Sequence, residues 1–566
     1  MPKKKRIPIG IEFYKEIIDE NYYYADKTWI IKELFDKGGK VNLFIRPRRF
    51  GKTLLQTMLR TFFEAEIDAS GHVKDNSRYF DGMKIMDAGD EYTRHLGQYP
   101  VIFFSLKSAK QPTFEMAYQS LTDDVLKEFK RHRYVLLGET LDSESKERYQ
   151  KLMNRRAGEA DYAKSIAFLS ECLEQYHGKK TIILIDEYDV PLENSYFEGF
   201  YEQMVTFIRS LFESVLKTNE SLEFAVITGC LRISKESIFT GLNNLEVISI
   251  LNKQYAESFG FTQAEAEQML GYYELMQKKQ ELKDWYDGYL FGNAEVYNPW
   301  SVINYVKTAV IDEDAFPKPY WSNTSSNSII KELVENADSV VKDEIEELIA
   351  GGTIEKQIHE DITYGDIHQS QENLWNFLFF TGYLKAVSQR FEEDTIYLTM
   401  RIPNAEIRYI YRNTIREWFE RGIGQCDFTK MYQALLSGDG DAFEEAVRHQ
   451  LSGSISYFDS EEDFYHGFLL GLLRPLQNYK ILSNRESGNG RPDIVLKPYD
   501  ERKAAVVLEL KHVKKYTEMD AECDQALRQI EEQQYEKGIL EEGYGSVISY
   551  GICFCKKSCR VKKRKT

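Results

Sequence analysis

Val41-Asn42-Leu43-Phe44-Ile45-Arg46-Pro47-Arg48-Arg49-Phe50-Gly51-Lys52-Thr53 is the stretch that decides how the first half of the chain is read. Five mostly apolar residues of strand length lead into a turn ending Gly-Lys-Thr. Leu54, Leu55, Met58, Leu59 and Phe62 follow at helical spacing. In a strand–turn–helix context, backbone N–H groups at the helix N-terminus can face phosphate oxygens, where the helix dipole also favours negative charge. In such a loop Lys52 would reach the β- and γ-phosphates of ATP, and the Thr53 hydroxyl would hold Mg²⁺. The stretch departs from the common pattern, because Arg46 stands where a leading Gly is usual and Pro47 brings no N–H. Arg46, Pro47, Arg48, Arg49, Phe50, Gly51, Lys52 and Thr53 together form the expected ATP-binding loop, with the arginines adding positive charge.

A second apolar run, Thr181-Ile182-Ile183-Leu184-Ile185, ends in Asp186-Glu187-Tyr188-Asp189. An acidic residue at the carboxyl end of a buried strand lies at the crevice where open α/β sheets bind ligands. Asp186 is expected to hold Mg²⁺ directly or through its water, and Glu187 to orient and polarise the attacking water. Three further strand-like runs, Tyr99–Leu106, Leu222–Gly229 and Leu245–Leu251, alternate with helical stretches near 113–132, 160–176 and 199–218. Five strands with intervening helices predict an α/β fold with a parallel sheet covered on both faces. Thr228, at a strand end, is placed to sense the γ-phosphate. Arg232 is a candidate finger on transition-state charge, although an Arg just past a strand more often forms a surface ion pair.

The loop Arg46–Thr53, the run Ile185-Asp186-Glu187-Tyr188-Asp189-Val190-Pro191-Leu192 and the segment from Thr228-Gly229 to Gly241-Leu242-Asn243-Asn244 resemble the bacterial AAA-ATPase-like proteins. Ile7-Pro8-Ile9-Gly10 and Tyr24-Ala25-Asp26-Lys27-Thr28 are similar to that family's N-terminal signature. The resemblance implies an ATP-binding core over roughly residues 7–250, in which Arg-Pro-Arg-Arg-Phe-Gly-Lys is the usual loop. It carries over Lys52, Thr53, Asp186 and Glu187.

Beyond this core the sequence predicts a helical lid or connector over 253–324. Thr262 is its helix N-cap, Glu265 sits three residues on, and the helix runs to about Met276. The aromatics of Trp285-Tyr286-Asp287-Gly288-Tyr289 and Tyr297-Asn298-Pro299-Trp300-Ser301 read as lid packing rather than a base-stacking platform. Residues 325–410 suggest a winged-helix-like module with a hairpin of Tyr383–Val387 against Thr395–Met400. Its helix 331–349 is acidic and would repel phosphate, which favours a protein partner there. A helical connector over 411–455 follows.

The last hundred residues carry a second constellation, ordered helix, three strands, helix, strand. Asp493 lies in the strand-like run Arg491-Pro492-Asp493-Ile494-Val495-Leu496, and Glu509-Leu510-Lys511 lies on the next. Glu509 and Lys511 are two apart, so both project from one strand face, and Asp493 beside them completes a carboxylate pair for Mg²⁺. The metal would acidify water at a scissile phosphate, while Lys511 positions the nucleophile or offsets developing charge. Pro492-Asp493 with Glu509-Leu510-Lys511 resembles the PD-(D/E)XK nuclease superfamily over about 456–556. That resemblance implies a further metal-assisting Glu on the first helix, for which Glu462 matches, and a helical Gln, for which Gln529 matches. Residues 557–566 read as a basic tail, either solvated or tracking a nucleic-acid backbone. Cys553, Cys555 and Cys559 lack a partner Cys-x-x-Cys pair for zinc, and His466 and His512 lack ligand spacing.

Composition bounds these readings. In 566 residues, 42% hydrophobic content with only 13 Pro and 35 Gly excludes a disordered or collagen-like chain. No apolar run reaches the roughly 18 residues that span a bilayer. Seven scattered Cys point to reduced thiols and a cytoplasmic protein. The net charge of -17 opposes a uniformly basic coat but not a local basic site. The resulting expectation is an ATPase coupled to a Mg²⁺-dependent nuclease acting on nucleic acid, DNA foremost. The alternative is a nucleotide-dependent switch or scaffold that holds nucleic acid or protein without cutting it.

Overall fold

The computed structural model of the protein describes residues 4–68, 71–231, 238–239, 242–321, 339–359, 371–424, 428–452, 462–483, 491–556 and 558–564. Two compact units emerge: 1–324 with 353–408, and 325–352 with 409–566. The segment 325–410, expected as one module, is therefore divided between them.

In the first unit Val41–Ile45 forms β1, buried at every position as a strand covered on both faces must be. The chain continues through helix α1 (Lys52–Phe63), β2 (Val101–Ser105), helix α2 (Phe114–Arg131) and helix α3 (Ser165–His177). β3 (Thr181–Asp186), helix α4 (Tyr201–Phe212), β4 (Leu222–Gly229) and β5 (Leu245–Ile248) complete the core. All five strands pair in parallel, in the order β2-β3-β4-β1-β5. Register aligns the carboxyl ends: Ser105 stands beside Asp186, and Phe44 beside Thr228. β5 stops at Ile248, three residues before the end its apolar run predicts. Ser249 and Leu251 instead enter a turn that Asn252 holds by accepting the Ser249 N–H.

The connector carries a small antiparallel sheet of β6 (Phe261–Thr262), β7 (Tyr289–Phe291) and β8 (Ala294–Tyr297), ordered β6-β8-β7. Thr262 caps helix α5 (Gln263–Tyr272) in a capping box with Glu265, and the helix ends four residues before Met276. Helix α6 (Pro299–Ile311) begins with Pro at its first position, and the Asn298 side chain accepts the Trp300 and Ser301 N–H groups. Tyr286, Tyr297, Val302 and Tyr305 form the lid core with Met269 and Leu270, so these aromatics pack the interior. β9 (Ile354–Ile358), β10 (Lys385–Glu392) and β11 (Thr395–Arg401) make a three-stranded antiparallel sheet, one strand more than the predicted hairpin.

Glu406 is fully buried where this sheet meets the lid. It accepts hydrogen bonds from Ser301 Oγ at 2.8 Å and the Trp321 N–H at 2.9 Å. Burial pushes its carboxyl up to about 7. The folded value lies above the ordinary one, so between about 4.5 and 7 the folded state holds a proton that the unfolded state releases. Stability is lost as pH rises through that window. Glu406→Gln is expected to melt above wild type at pH 8, by at most about 3 kcal/mol, and to match it at pH 4.5. Thermal scans at both pH values that show the same difference would overturn this.

The second unit contains a five-stranded mixed sheet. It is built from helix α7 (Glu462–Leu473), β12 (Tyr479–Ser483), β13 (Ile494–Pro498), β14 (Ala505–His512), helix α8 (Met519–Glu532), helix α9 (Tyr535–Glu541), β15 (Val547–Cys555) and β16 (Ser558–Lys563). The order is β12-β13-β14-β15-β16, and only β14 and β15 are parallel. Strand alternation divides the core. Ile494, Leu496, Val506, Leu508 and Leu510 pack with Phe468, Leu469 and Leu472 of α7. Val495, Ala505 and Val507 pack instead with Ile530, Tyr535 and Ile539 of α8 and α9.

The residues read as a basic tail are a correction. Ser558–Lys563 is the sheet's edge strand, with Cys559 and Val561 buried. Arg560 pairs with Glu444 and Asp520, Lys562 with Asp524, and Arg564, just past the strand, with Glu531 and Glu536. Of the acidic helix 331–349, Ser339–Ile349 is helical, and residues 331–338 lie outside the described residues. Among the described residues, no helix is long and apolar enough to cross a membrane.

Candidate active sites

The loop between β1 and α1 is shaped by two left-handed residues, Arg49 at φ 70° and Gly51 at φ 83°. Phe50 anchors it from below, 1% exposed and edge-on to Tyr289 at 5.0 Å. Lys52 opens α1, buried, and its Nζ donates to the Arg46 and Pro47 carbonyls, each at 3.0 Å, and to Cys230 Sγ at 3.3 Å. The ammonium thus lies inside the curve of the loop, beside the free N–H groups of the helix start.

Asp186 joins three elements. Its Oδ2 accepts from Thr53 Oγ1 at 2.7 Å and its Oδ1 from Thr228 Oγ1 at 2.6 Å. Burial raises its carboxyl above the ordinary range, and both hydroxyls and Lys52 oppose the rise. Thr228 thus ties the end of β4 to the Asp186 carboxylate. Glu187 follows at φ 52°, a conformation uncommon outside Gly. Burial and then Asp186 push its carboxyl up.

The three arginines of the loop do not converge on this point. Arg46 is fully buried, sandwiched between Phe259 and Phe291 at 5.0 and 5.1 Å, with Nη1 donating to the Ile45 and Ile248 carbonyls. Burial lowers its guanidinium to about 9. Its expected phosphate contact is corrected accordingly, because the guanidinium is part of the packing beneath β5. Arg48 pairs with Glu193, and Arg49 lies over Trp300 at 4.3 Å. Pro47 is buried, and its carbonyl serves Lys52. Arg232 lies outside the described residues.

Sequence reasoning missed several groups at this edge. Asp189 accepts the Cys230 and Leu231 N–H groups at 2.8 and 3.2 Å, tethering the chain after β4. Lys107, two residues past β2, pairs with Glu12 at 3.0 Å and lies within electrostatic reach of Glu187 and Asp186. Only the strand order places β2 next to β3, so no local signal pointed to Lys107.

In the second unit, parity puts Asp493, Glu509 and Lys511 on the face covered by α8 and α9, since Val495, Ala505 and Val507 share it. Asp493 Oδ2 accepts the Leu510 N–H at 2.7 Å, which locks it against β14. Glu509 is 2% exposed, with Oε1 3.5 Å from Lys511 Nζ and Oε2 buried with no hydrogen-bond partner among the described residues. Burial, then the neighbouring Asp493, pushes the Glu509 carboxyl up to about 7. Lys511 Nζ also donates to Gln529 Oε1 at 2.8 Å, so the helical Gln reaches the site as expected. Two close carboxylates and an orphaned buried oxygen are the hard-oxygen set that a divalent cation satisfies. Glu462 opens α7, and its side chain lies outside the described residues. Among the described residues no group of three or more His, Cys, Asp or Glu forms a metal cluster. His466 meets the Asp493 carbonyl at 3.0 Å, and His512 stacks on Tyr465. The three cysteines flagged near the C-terminus are buried.

Residues 8–239 match the family described as predicted AAA-ATPase, and residues 460–564 match the PD-(D/E)XK nuclease superfamily. An AAA-ATPase-like domain and a PD-(D/E)XK nuclease-superfamily domain share this chain. The two matches cover both constellations built above, and the second includes β16. "Uncharacterized protein in vnfD 5'region" of Azotobacter chroococcum mcd 1 is 26% identical over 338 residues, which take in 58% of this chain. The chain spans 56% of that relative's length. The solved structure of the Aeropyrum pernix ORC2 protein in ADPNP–ADP complexes is 10% identical, covering 71% of this chain and 98% of its own. Its TM-score is 0.24, too low to carry an argument.

The nuclease-superfamily site depends on one close approach. Gly551 pairs with Glu509 across β14 and β15, and a Cβ there would stand 2.5 Å from the Cys523 carbonyl oxygen of α8. Gly551→Ala must push α8 outward at a cost of about 1–3 kcal/mol. Hydrogen exchange is expected to quicken in β14, β15 and α8 and to stay unchanged in β1–β5. Unchanged exchange in β14 and β15 would sink the idea.

Proposed function

We propose that this chain hydrolyses ATP at its AAA-ATPase-like domain and cleaves nucleic-acid phosphodiester bonds at its nuclease-superfamily domain with a divalent cation, Mg²⁺. Families of these two kinds generally use a nucleotide and a divalent metal. The observation that carries the nuclease reading is Glu509 Oε2, a buried carboxylate oxygen beside Asp493 without a hydrogen-bond partner among the described residues. A buried charge left in that state costs free energy unless a cation joins it.

At the nucleotide site, the N–H groups of Gly51, Lys52 and Thr53 would hold phosphate oxygens of ATP, and the Lys52 ammonium would leave its loop carbonyls for them. Thr53 and Asp186, already hydrogen-bonded to each other, would share the Mg²⁺. Glu187 would take the proton of the attacking water on its carboxylate. At the second site Asp493 and Glu509 would hold the cation, which supplies an acidified water and charge neutralisation when bound. Lys511, fixed by Gln529, would orient its ammonium toward a phosphate oxygen. The coupling between the two sites is proposed as gating, with ATP turnover licensing cleavage.

Phosphate release and cleavage of plasmid and single-stranded DNA in Mg²⁺ test these assignments. Lys52→Ala is expected to lower phosphate release at least about 100-fold. Asp493→Ala and Glu509→Ala should abolish cutting while phosphate release persists. Gating fails if Lys52→Ala cuts at the wild-type rate with and without ATP. Absence of metal-dependent cutting on any substrate would leave a nucleotide-dependent scaffold in place of a nuclease.

A further inference from the structure

β14 carries Glu509 and Lys511 and ends at His512. The chain is then pinned twice, by buried Val513, whose N–H donates to the Phe554 carbonyl at 3.0 Å, and by buried Met519. Between the pins Lys514, Lys515, Tyr516, Thr517 and Glu518 are all exposed, and Tyr516 is 57% exposed. Neither Lys514 nor Lys515 makes an ion pair or side-chain hydrogen bond among the described residues. By comparison, Arg560 and Lys562 of β16 and Arg564 just past it are paired with Glu444, α8 and α9. In a chain of net charge -17, two adjacent ammoniums left unpaired beside an exposed aromatic need a reason.

Position supplies one. Three residues reach at most about 11 Å, so the Lys514 backbone stays within that distance of Lys511. Ammoniums at that range meet the backbone of a strand held at the site. A tyrosine beside them can stack on a base, but only on a base whose face is free, which duplex stacking denies. The fixed ends matter, since a pinned loop loses little freedom when the strand arrives.

We propose that Lys514, Lys515 and Tyr516 form a single-strand binding element of the nuclease-superfamily site, with both lysines on phosphates flanking the scissile one and Tyr516 stacked on an unpaired base. The substrate class is therefore single-stranded or frayed nucleic acid, which deepens the proposed nuclease reading and rests on it.

Fluorescence anisotropy on the full chain, with Ca²⁺ replacing Mg²⁺ and strand integrity checked on a gel, tests the element. The probes are a short labelled DNA strand and its duplex. Tyr516→Ala is expected to weaken single-strand binding about tenfold and duplex binding less than about twofold, while Tyr516→Phe keeps wild-type affinity. Tyr499→Ala, at a 75% exposed tyrosine in the turn between β13 and β14, is the control and should change nothing. The double change Lys514→Glu and Lys515→Glu should make the log–log salt dependence shallower by at least about 1.4. The element is overturned if Tyr516→Ala binds like Tyr499→Ala, if the salt slope stays the same, or if wild type binds no strand. A wild type that binds single strands as expected without ever cutting overturns the nuclease reading and leaves the element standing.

Discussion

Asp186 is a carboxylate 1% exposed, and such a group survives burial only if its oxygens are occupied. Thr53 supplies one hydroxyl from the first turn of α1, and Thr228 supplies the other from the end of β4. Those two bonds fix the carboxyl edge of β3 against the strand and helix beside it, so the loop around Lys52 has one height relative to the sheet. Gln56 reinforces the arrangement one turn along α1, its Nε2 donating to the Ile185 and Val226 carbonyls. Glu187, Lys107 and Asp189 take their places from that edge. The same rule operates in the second unit, where the Leu510 N–H occupies Asp493, while Glu509 Oε2 has no hydrogen-bond partner among the described residues.

What the residues disclosed in advance follows from range. Val41–Ile45 and Thr181–Asp186 declare themselves because a strand buried on both faces must be apolar throughout. The Thr262–Glu265 capping box is local, so its helix start is legible, whereas the stop at Tyr272 depends on Leu275 turning back to bond the Leu270 carbonyl. Arg46 was misread because its partners, Phe259 and Phe291, lie more than two hundred residues away. A cation near phosphate-loop residues and a cation under the sheet look alike in sequence. Lys107 stayed hidden for the related reason that strand order, unlike strand existence, leaves no local mark.

The second unit shows the opposite error. Ser558-Cys559-Arg560-Val561-Lys562-Lys563 alternates apolar and charged residues at the period of a strand, yet the cations drew attention away from that alternation. Folded, the inward residues join the core and the outward cations meet acids of α8 and α9. In contrast, Glu509-Leu510-Lys511 was legible because parity alone places its two charged groups on one face. The helix that supplies Gln529 was also legible, but not the reason it can come so close, which is the missing Cβ at Gly551.

Net charge acquires a different meaning in this light. A value of -17 describes the far field, which repels a polyanion, while binding is decided within about a Debye length, roughly 8–10 Å. Over that distance, what counts is which cations lack acids. Arg48, Arg560, Lys562 and Arg564 are spent on Glu193, Glu444, Asp524 and Glu536 and add little outward field. Lys514 and Lys515, exposed and without an ion pair among the described residues, follow β14, the strand that carries Glu509 and Lys511. An acidic protein can therefore hold a phosphate chain wherever cations without acids lie close together, whatever the sign of its net charge.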